Sequence, residues 1–272
     1  MSYDDYIGRS QTRQDEVSPR LLAGLAATLG VETPETVPPL WHWTLFQDWV
    51  PPDQIGPDGH PRRGGFLPPV HDLPRRMWAG GRLRFLENAL RVGDRVSRTS
   101  TIQRVQEKQG GAGRLVFVTV RHVIDGPAGP AIEEEQDLVY RGMEGVAVKA
   151  AASVADRLGP GEGVSATVRP DPVLLFRYSA LTGNGHRIHY DMDYVRDAEG
   201  YPGLIVHGPL QATWLAGLLR GRTLRMFSFR GQRPAFHDRT LSLEGRHGDG
   251  GAQLRTLDED GAVCMQAEAE FA

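Results

Sequence analysis

The sequence predicts an α+β fold in which a curved antiparallel sheet wraps around a helix, and it predicts this unit twice. Helix signals are few along the 272 residues and strand signals are numerous. Each half of the chain ends in a series of alternating strands, and a helix precedes each series. At this length the chain is able to bury one large core or two smaller ones.

The first helix is predicted between residues 18 and 30. Ser18 is a suitable N-cap, Pro19 suits the first helical position, and Gly30 is a good terminator. The leucines and alanines between them recur at helical spacing and form one apolar stripe. We expect this helix to be a packing element.

The strands of the first half follow the helix. The run "DRVSRTSTIQRVQEKQGGAGRLVFVTVRHVID" predicts two long strands around a Gly-rich hairpin at 110–113, and "AIEEEQDLVYRG" predicts another strand. Residues 151–163 are small, contain Gly and Pro, and become polar at their end, as is typical of a junction. We therefore predict an N-terminal repeat at 1–150 and a C-terminal repeat at 160–272.

The second half repeats this order. The stretch "GVSATVRPDPVLLFRYSAL" is grouped with the strands, an apolar helix is predicted from Pro209 to Gly221, and three or four strands joined by Gly/Asp turns follow. A sheet wrapped around one central helix, used twice, is a double hotdog arrangement. The alternative is an unrelated α+β fold in which two helices cover one sheet.

The composition excludes several classes of partner. A net charge of −3 and a pI near 6.3 give no general attraction to nucleic acid or anionic lipid. No apolar run approaches the roughly 20 residues that cross a bilayer. The single cysteine, Cys264, has no partner for an internal disulfide and lies in an alternating run typical of packing residues. These features, with the absence of a leader-like start, predict a cytoplasmic protein.

The densest set of chemically active side chains is "RYSALTGNGHRIHYD" at residues 177–191. His186 and His189 are three residues apart, as metal ligands often are, and a third ligand would have to come from His207 or Asp191. No HExxH, CxxC or carboxylate pair accompanies them, so we expect no metal. A polar turn whose histidines are merely satisfied is the structural alternative.

An acid–base centre requires less than a metal site. Histidine both takes and gives a proton near neutral pH. Asn184 is able to hold a water molecule by donating and accepting hydrogen bonds at once. Gly183 and Gly185 on either side allow a positive φ or a close approach of the backbone to a ligand.

A second candidate element is His207-Gly208-Pro209, directly before the predicted apolar helix. The start of a helix offers free N–H groups and the positive end of the helix dipole. Because Pro209 has no N–H, the donor is that of Gly208 or of the residue after the proline. Such a donor suits a thioester carbonyl oxygen on which negative charge builds.

These motifs carry a family resemblance. "FRYSALTGNGHRIHYD" followed by "GYPGLIVHGPL" resembles the MaoC-like R-specific enoyl-thioester hydratases and dehydratases, a hotdog family. The similarity is strongest to their double-hotdog branch of mesaconyl-C4-CoA and itaconyl-CoA hydratases and mitochondrial 3-hydroxyacyl-thioester dehydratases. "LPRRMWAGGRLRFLENALRVGDRV" in the first half resembles the same branch, so the resemblance covers nearly the whole chain.

The resemblance implies roles for individual residues. His189 matches the catalytic histidine, and Asn184 stands at the position of the common aspartate. Because an amide is not a base, His189 is expected to transfer the proton while Asn184 orients the water. Gly183 departs from the branch, which typically has a bulkier residue there, and we expect it to widen the pocket.

The resemblance also implies an activity. We expect a hydro-lyase that reversibly hydrates an enoyl thioester, on a short branched or dicarboxylic acyl-CoA of the mesaconyl-C4-CoA or itaconyl-CoA type. No cofactor beyond the CoA of the substrate is expected, and neither nucleic-acid nor membrane partners. The N-terminal repeat is expected to be non-catalytic and to form a wall of the pocket, and the protein to be a homodimer. The expected thioester-binding and substrate-binding residues are Gly208, Tyr178, Gly183, Arg187, Tyr190 and His207.

Other interpretations stay open. The same fold would serve a thioesterase, and a non-catalytic subunit would bind acyl thioesters without turning them over. The basic segment "LPRRMW" either meets CoA phosphates or forms a solvated turn. The aromatic segment "PLWHWTLFQDWV" either packs the first half or lines an acyl tunnel, since it lacks the lysines of a nucleic-acid site.

Overall fold

The computed structural model describes residues 3–110, 113–143, 158 and 161–272. Within these ranges the helices are α1 (Pro19–Leu29), α2 (Pro172–Thr182), α3 (Met192–Asp197) and α4 (Gly208–Gly217), with short 3₁₀ helices at Asp4–Tyr6, Trp41–Thr44, Pro52–Gln54 and Arg187–His189. The strands are β1 (Ser10–Glu16), β2 (Arg75–Phe85), β3 (Arg95–Gly110), β4 (Gly113–Gly126), β5 (Gly129–Arg141), β6 (Glu162–Val168), β7 (Leu224–Gly231), β8 (Leu241–His247), β9 (Gly251–Leu257) and β10 (Val263–Phe271).

The strands form one continuous antiparallel sheet in the order β1-β3-β4-β5-β2-β7-β10-β9-β8-β6. Counted from the two edges, β1-β3-β4-β5-β2 and β6-β8-β9-β10-β7 have the same order. The halves meet where β2 pairs with β7, from Gly80 opposite Arg230 to Arg84 opposite Met226. The predicted α+β double hotdog arrangement is confirmed, and its two sheets are joined edge to edge.

Helix α4 lies against the C-terminal half of the sheet. It contacts β8, β9 and β10 and also reaches β2 of the other half. Leu210, Ala212 and Leu215 are fully buried, as the predicted apolar segment requires. The helix ends at Gly217 instead of the predicted Gly221.

Helix α1 has the predicted caps. The Ser18 side chain accepts a hydrogen bond from the N–H of Leu21, and Gly30 ends the helix with a φ of 68°. The helix packs mainly against α2 and the 3₁₀ helix Trp41–Thr44. Gly24 permits this close packing, because a Cβ there would lie 2.8 Å from Cδ2 of Leu181. The helix predicted for the first repeat therefore lies beside a helix of the second.

Residues Pro172–Thr182 form helix α2, so grouping them with the strands from the sequence was wrong. Asp171 caps it by accepting a hydrogen bond from the N–H of Leu174, and Pro172 occupies its first turn. Val173 and Phe176 are 63% and 61% exposed. Apolar side chains thus point outward as well as inward, and no single stripe marks the helix in the sequence.

Strand β2 begins within the basic segment for which a phosphate contact or a solvated turn is expected. Arg75 is buried there, and its Nε donates a hydrogen bond to Glu199 Oε2 at 2.8 Å. The charge of Arg75 is therefore compensated from the other half of the chain, and the segment is not a solvated turn.

Two predicted connections have limited coverage. The strands of the predicted hairpin at 110–113 pair as β3 and β4, while residues 111 and 112 lie outside the described ranges. The predicted junction at 151–163 also lies mostly outside them. Among the described helices, none has the length and apolar character needed to cross a membrane.

Candidate active site

The loop between α2 and the 3₁₀ helix Arg187–His189 begins with a glycine in the left-handed region. Gly183 has a φ of 62°, and its N–H donates a hydrogen bond to Ser179 O as the C-cap of α2. A Cβ at this position would lie 3.0 Å from Cβ of Gln47. Gly183 thus turns the chain sharply, so that Asn184 and the histidines after it face a cavity.

That cavity has a volume of about 1520 Å³ and is lined by residues of both halves. From the predicted set, His189, Asn184, Gly183, Tyr190 and Gly208 line it. Trp78 and Phe229 also line the cavity. Trp43 packs on both of these rings, with centroids 5.0 Å from Trp78 and 5.8 Å from Phe229.

His189 is held in one tautomer. Its Nδ1 lies 2.7 Å from the carbonyl oxygen of Ile205. A carbonyl only accepts, so Nδ1 carries the hydrogen and Nε2 keeps its lone pair. Burial lowers the pKa of His189 to about 4, despite the opposing effect of the Ile205 carbonyl. The ring is therefore neutral at pH 7 and able to take a proton.

A layer of buried rings lies behind His189. The His207 ring stacks on it with centroids 3.6 Å apart, and Tyr178 meets the His207 ring edge-on at 4.9 Å. His207 Nε2 forms a hydrogen bond with Ser179 Oγ at 2.8 Å. Tyr178 and His207 are 2% and 1% exposed. The geometry therefore suits them to orienting His189, in contrast to the substrate contacts that the sequence suggests for them.

Asn184 keeps hydrogen-bonding capacity for a ligand. Its Oδ1 accepts a hydrogen bond from the N–H of His186 at 3.0 Å, which fixes the side chain. Its own N–H donates to Ser179 O. Across the described ranges no residue accepts a hydrogen bond from its Nδ2, so this group is able to donate to a water.

The N-terminus of α4 opens on the same cavity. Gly208 is its first residue, and Pro209, which has no N–H, is its second. A Cβ at Gly208 would lie 3.8 Å from Cε of Met265 and 4.0 Å from the carbonyl oxygen of Trp78. The backbone of β2 thus runs directly beside this helix end.

A loop of the N-terminal half completes the site. His60 Nδ1 lies 3.0 Å from Asp58 Oδ2, and the His60 ring packs on His186 with centroids 4.2 Å apart. The carbonyl of Asp58 accepts a hydrogen bond from the N–H of Arg187 at 2.9 Å. A Cβ at Gly59 would overlap the Gly185 carbonyl oxygen. The two loops are therefore packed backbone to backbone.

These N-terminal groups are absent from the sequence prediction. Their signal was a histidine and an aspartate in the turn "GPDGHP", a pattern that many surface turns share. Burial lowers the pKa of His60, and the hydrogen bond from His60 keeps the pKa of Asp58 low in spite of burial.

Arg187 bonds to both loops of the site: its Nη1 donates a hydrogen bond to the carbonyl oxygen of Pro57 at 3.1 Å. Its Nη2 and Nε donate to Asp191 Oδ2 at 2.7 and 2.9 Å, and its guanidinium lies 4.3 Å from the Tyr194 ring centroid. It is not among the cavity-lining residues. Tyr190 does line the cavity, and its hydroxyl donates to Gly185 O at 2.9 Å.

The residues whose side chains could hold a metal differ from those expected from the sequence. Over the described part of the chain, the ligand atoms that cluster within 4.8 Å are those of Asp58, His60 and His186. The set expected from the sequence, His186 and His189 with His207 or Asp191 as the third ligand, is not such a cluster, and of its members His186 alone belongs to the observed one. The Asp58–His60 hydrogen bond already accounts for much of the observed trio.

The structure also places the single cysteine and the aromatic segment that the sequence analysis singled out. Cys264 is 1% exposed, and burial raises the pKa of its thiol to about 12, in agreement with a packing role. In the aromatic segment, Trp41 and Phe46 are buried in the core, whereas Trp49 is 73% exposed and lines the cavity.

Known proteins resemble the chain in sequence and in fold. It is 44% identical over 275 residues to the mesaconyl-C(4)-CoA hydratase of Chloroflexus aurantiacus, which covers 98% of this chain and 96% of the relative. A MaoC-like dehydratase from Phytophthora capsici superposes with a TM-score of 0.74 at 15% identity, over 100% of this chain and 99% of that one. A Mycobacterium tuberculosis protein with a double hotdog fold gives a TM-score of 0.60 at 14% identity, over 97% and 96% of the two chains.

The predicted resemblance to MaoC-like hydratases and dehydratases is confirmed. A family model for hydroxyacyl-thioester dehydratase type 2 matches residues 40–237, a range that includes β2, both loops of the site and the start of α4. The chain therefore belongs to the hydroxyacyl-thioester dehydratase type 2 family.

Proposed function

We propose that the protein reversibly hydrates an enoyl thioester, with His189 as acid and base and Asn184 as the residue that holds the water. The observation that carries the proposal is the fixed tautomer of His189. The hydrogen bond from Nδ1 to Ile205 O leaves Nε2 as an unprotonated base on a cavity-lining residue, beside Asn184.

In the hydration direction, Asn184 donates a hydrogen bond from Nδ2 to a water molecule. His189 Nε2 takes a proton from this water while the water oxygen bonds to the β-carbon of the substrate. The π electrons of the double bond move toward the thioester and form an enolate. His189 then returns the proton to the α-carbon, so the neutral enzyme is restored. Dehydration reverses these steps.

The enolate oxygen needs a partner while it carries charge. The first N–H of α4, at Gly208, is free of intrahelical bonding and lies at the positive end of the helix dipole. We assign it to the thioester oxygen. A fixed backbone donor stabilises the developing charge without reorganisation.

The proposed substrate is a short branched or dicarboxylic acyl-CoA, of the mesaconyl-C4-CoA or itaconyl-CoA type. Support comes from the 44% identity to a mesaconyl-C(4)-CoA hydratase over nearly the whole chain. The reaction needs no cofactor beyond the CoA of the substrate. The N-terminal repeat, residues 1–150, would supply a wall of the pocket, and the C-terminal repeat, residues 160–272, the catalytic loop.

We further propose a homodimer that acts in the cytoplasm. The exposed apolar side chains of Val173 and Phe176 on α2 support an interface between copies, and the lone buried thiol of Cys264 suits a reducing compartment. Light scattering tests the dimer. The expected mass is twice the 30.0 kDa of the chain, and a monomer mass would contradict it.

The activity is tested by following the absorbance of the conjugated enoyl thioester with crotonyl-CoA, mesaconyl-C4-CoA and itaconyl-CoA, in parallel with a thiol reagent. We expect the absorbance to fall without release of free CoA. Release of free thiol at the same rate would indicate a thioesterase. Absence of turnover on every thioester would favour a non-catalytic binding subunit.

A further inference from the structure

Arg76 lies on the wall of the cavity beside the start of α4. It pairs with Tyr140 of β5, and Trp78, two residues further along β2, pairs with Leu138, so the four side chains share one face of the sheet. A Cβ at Gly208 would lie 4.0 Å from the carbonyl oxygen of Trp78. Arg76 is thus about 7 Å along the strand from the point where β2 touches the helix.

On its other side Arg76 faces the catalytic loop. Burial is the main cause of the low pKa values of His60 and His186, neighbouring histidines lower that of His186 further, and the positive charge of Arg76 adds a smaller lowering at both rings. The His186 ring centroid is 5.6 Å from that of His189. Arg76, His186 and His189 all line the same cavity. The guanidinium of Arg76 therefore borders the same cavity as His189, on the side of His60 and His186.

The two adjacent arginines of β2 differ in how their charges are compensated. Arg75 has the Glu199 carboxylate at 2.8 Å. For Arg76 the hydrogen-bonding neighbour is the Tyr140 phenol, a neutral group, and no carboxylate within the described ranges forms an ion pair with it.

Nearby groups leave this region positive. Arg63, whose charge also acts on Tyr140 and His60, donates to the backbone carbonyls of Val70, Leu73 and Pro74. The Asp58 carboxylate, which faces the same side, is hydrogen-bonded by His60. Arg63 also lies near the carboxylates of Asp58 and Asp72, but Asp58 is bound by His60 and Asp72 by Arg114. Among the described residues no carboxylate forms an ion pair with Arg63 or Arg76, and this arrangement favours an anionic ligand group.

We propose that Arg76 binds the free carboxylate of a dicarboxylic acyl group. The inference rests on the proposed function and specifies its substrate. In a C5 dicarboxylic acyl thioester the free carboxylate is only a few bonds from the reacting carbons, so its partner has to lie near His189. An arginine binds a carboxylate with two parallel hydrogen bonds, a geometry that lysine lacks. Arg187, the candidate expected from the sequence, already binds Asp191.

The test compares kcat/KM for mesaconyl-C4-CoA and for crotonyl-CoA, which carries no free carboxylate. In the Arg76→Gln variant we expect the ratio of the two values to fall about 10- to 100-fold, as expected for loss of a charge-assisted hydrogen bond. Arg76→Lys should recover part of the ratio. Arg84→Gln is the matched control, because Arg84 belongs to the same strand, is 59% exposed and does not line the cavity.

Each outcome separates the inference from the proposed function. An equal loss of kcat/KM on both substrates in Arg76→Gln would overturn the inference, since it would mean that Arg76 binds the CoA phosphates or stabilises the fold. A wild-type enzyme that hydrates crotonyl-CoA but not the dicarboxylic substrate would overturn it as well. If wild type hydrates neither thioester, the proposed function itself fails.

Discussion

The imidazole of His207 lies face to face with that of His189, with ring centroids 3.6 Å apart and ring planes at 18°. One ring nitrogen of His207 is hydrogen-bonded to Ser179. His189 is thus fixed by a stacked ring on one side and by the Ile205 carbonyl at Nδ1. Because the ring is already oriented in the free enzyme, no free energy is spent on orienting the base during the reaction.

His207 should act on kcat through this stacking. In His207→Ala the support of the His189 ring is lost, and we expect kcat to fall about tenfold or more with little change in KM. His207→Phe, which restores a stacking ring, should recover most of the loss. Steady-state kinetics on crotonyl-CoA measures both. A change confined to KM would instead place His207 in contact with the substrate.

The loss of activity on acidification should occur at an unusually low pH in the pH–rate profile. Burial lowers the pKa of His189 from 6.5 to about 4, so the base stays unprotonated through the range in which an exposed histidine becomes charged. We expect kcat/KM, which reports the free enzyme, to stay level from pH 7 to about pH 5. A decrease of kcat/KM centred near pH 6.5 would mean that solvent reaches His189 in the free enzyme and that its pKa is not lowered.

Fold stability has to be followed in parallel with that profile. Besides His189, the buried His122 of β4 has its pKa lowered by burial. The folded-state pKa values of both histidines are about 4, below the value of 6.5 in the unfolded chain. The unfolded state therefore binds more protons between these values, and stability is lost as the pH falls from 6.5 toward 4. Circular dichroism at each pH identifies the points at which the enzyme is still folded.

Gly183 should matter for stability. Its φ of 62° disfavours any side chain, and a Cβ added there would lie only 3.0 Å from Cβ of Gln47. We expect Gly183→Ala to lower the free energy of unfolding by about 1 kcal/mol or more in urea titrations. Gly217→Ala is the control, since nothing lies within 4 Å of its Cβ position. Unchanged stability with altered substrate preference would favour the pocket-widening role expected from the sequence.

The fold was predictable where alternation was unbroken. The long strands β3 and β4 and the capped helix α1 carry their own signals, and the repeated order of elements indicated the duplication. Strand β2 was hidden because Arg75, a charged residue, is buried in it. Its partner Glu199 lies 124 positions away, and no local pattern reports such a pair.

The site was predictable in its C-terminal part alone. His189, Asn184 and Gly208 lie within 25 residues of one another, so one motif contains them. Asp58 and His60 reach the same place from the other half by the packing of Gly59 on Gly185. Arg187 was overvalued, because its pairing with Asp191 depends on a turn that the sequence does not reveal.

The central claim is that His189 transfers the proton in hydration of an enoyl thioester. It is tested most directly by the enoyl absorbance assay on His189→Gln, with His71→Gln as a control at an exposed histidine. We expect kcat to fall about 10²- to 10⁴-fold in His189→Gln and to remain at the wild-type value in His71→Gln. A His189→Gln enzyme that hydrates the thioester at the wild-type rate would contradict the account.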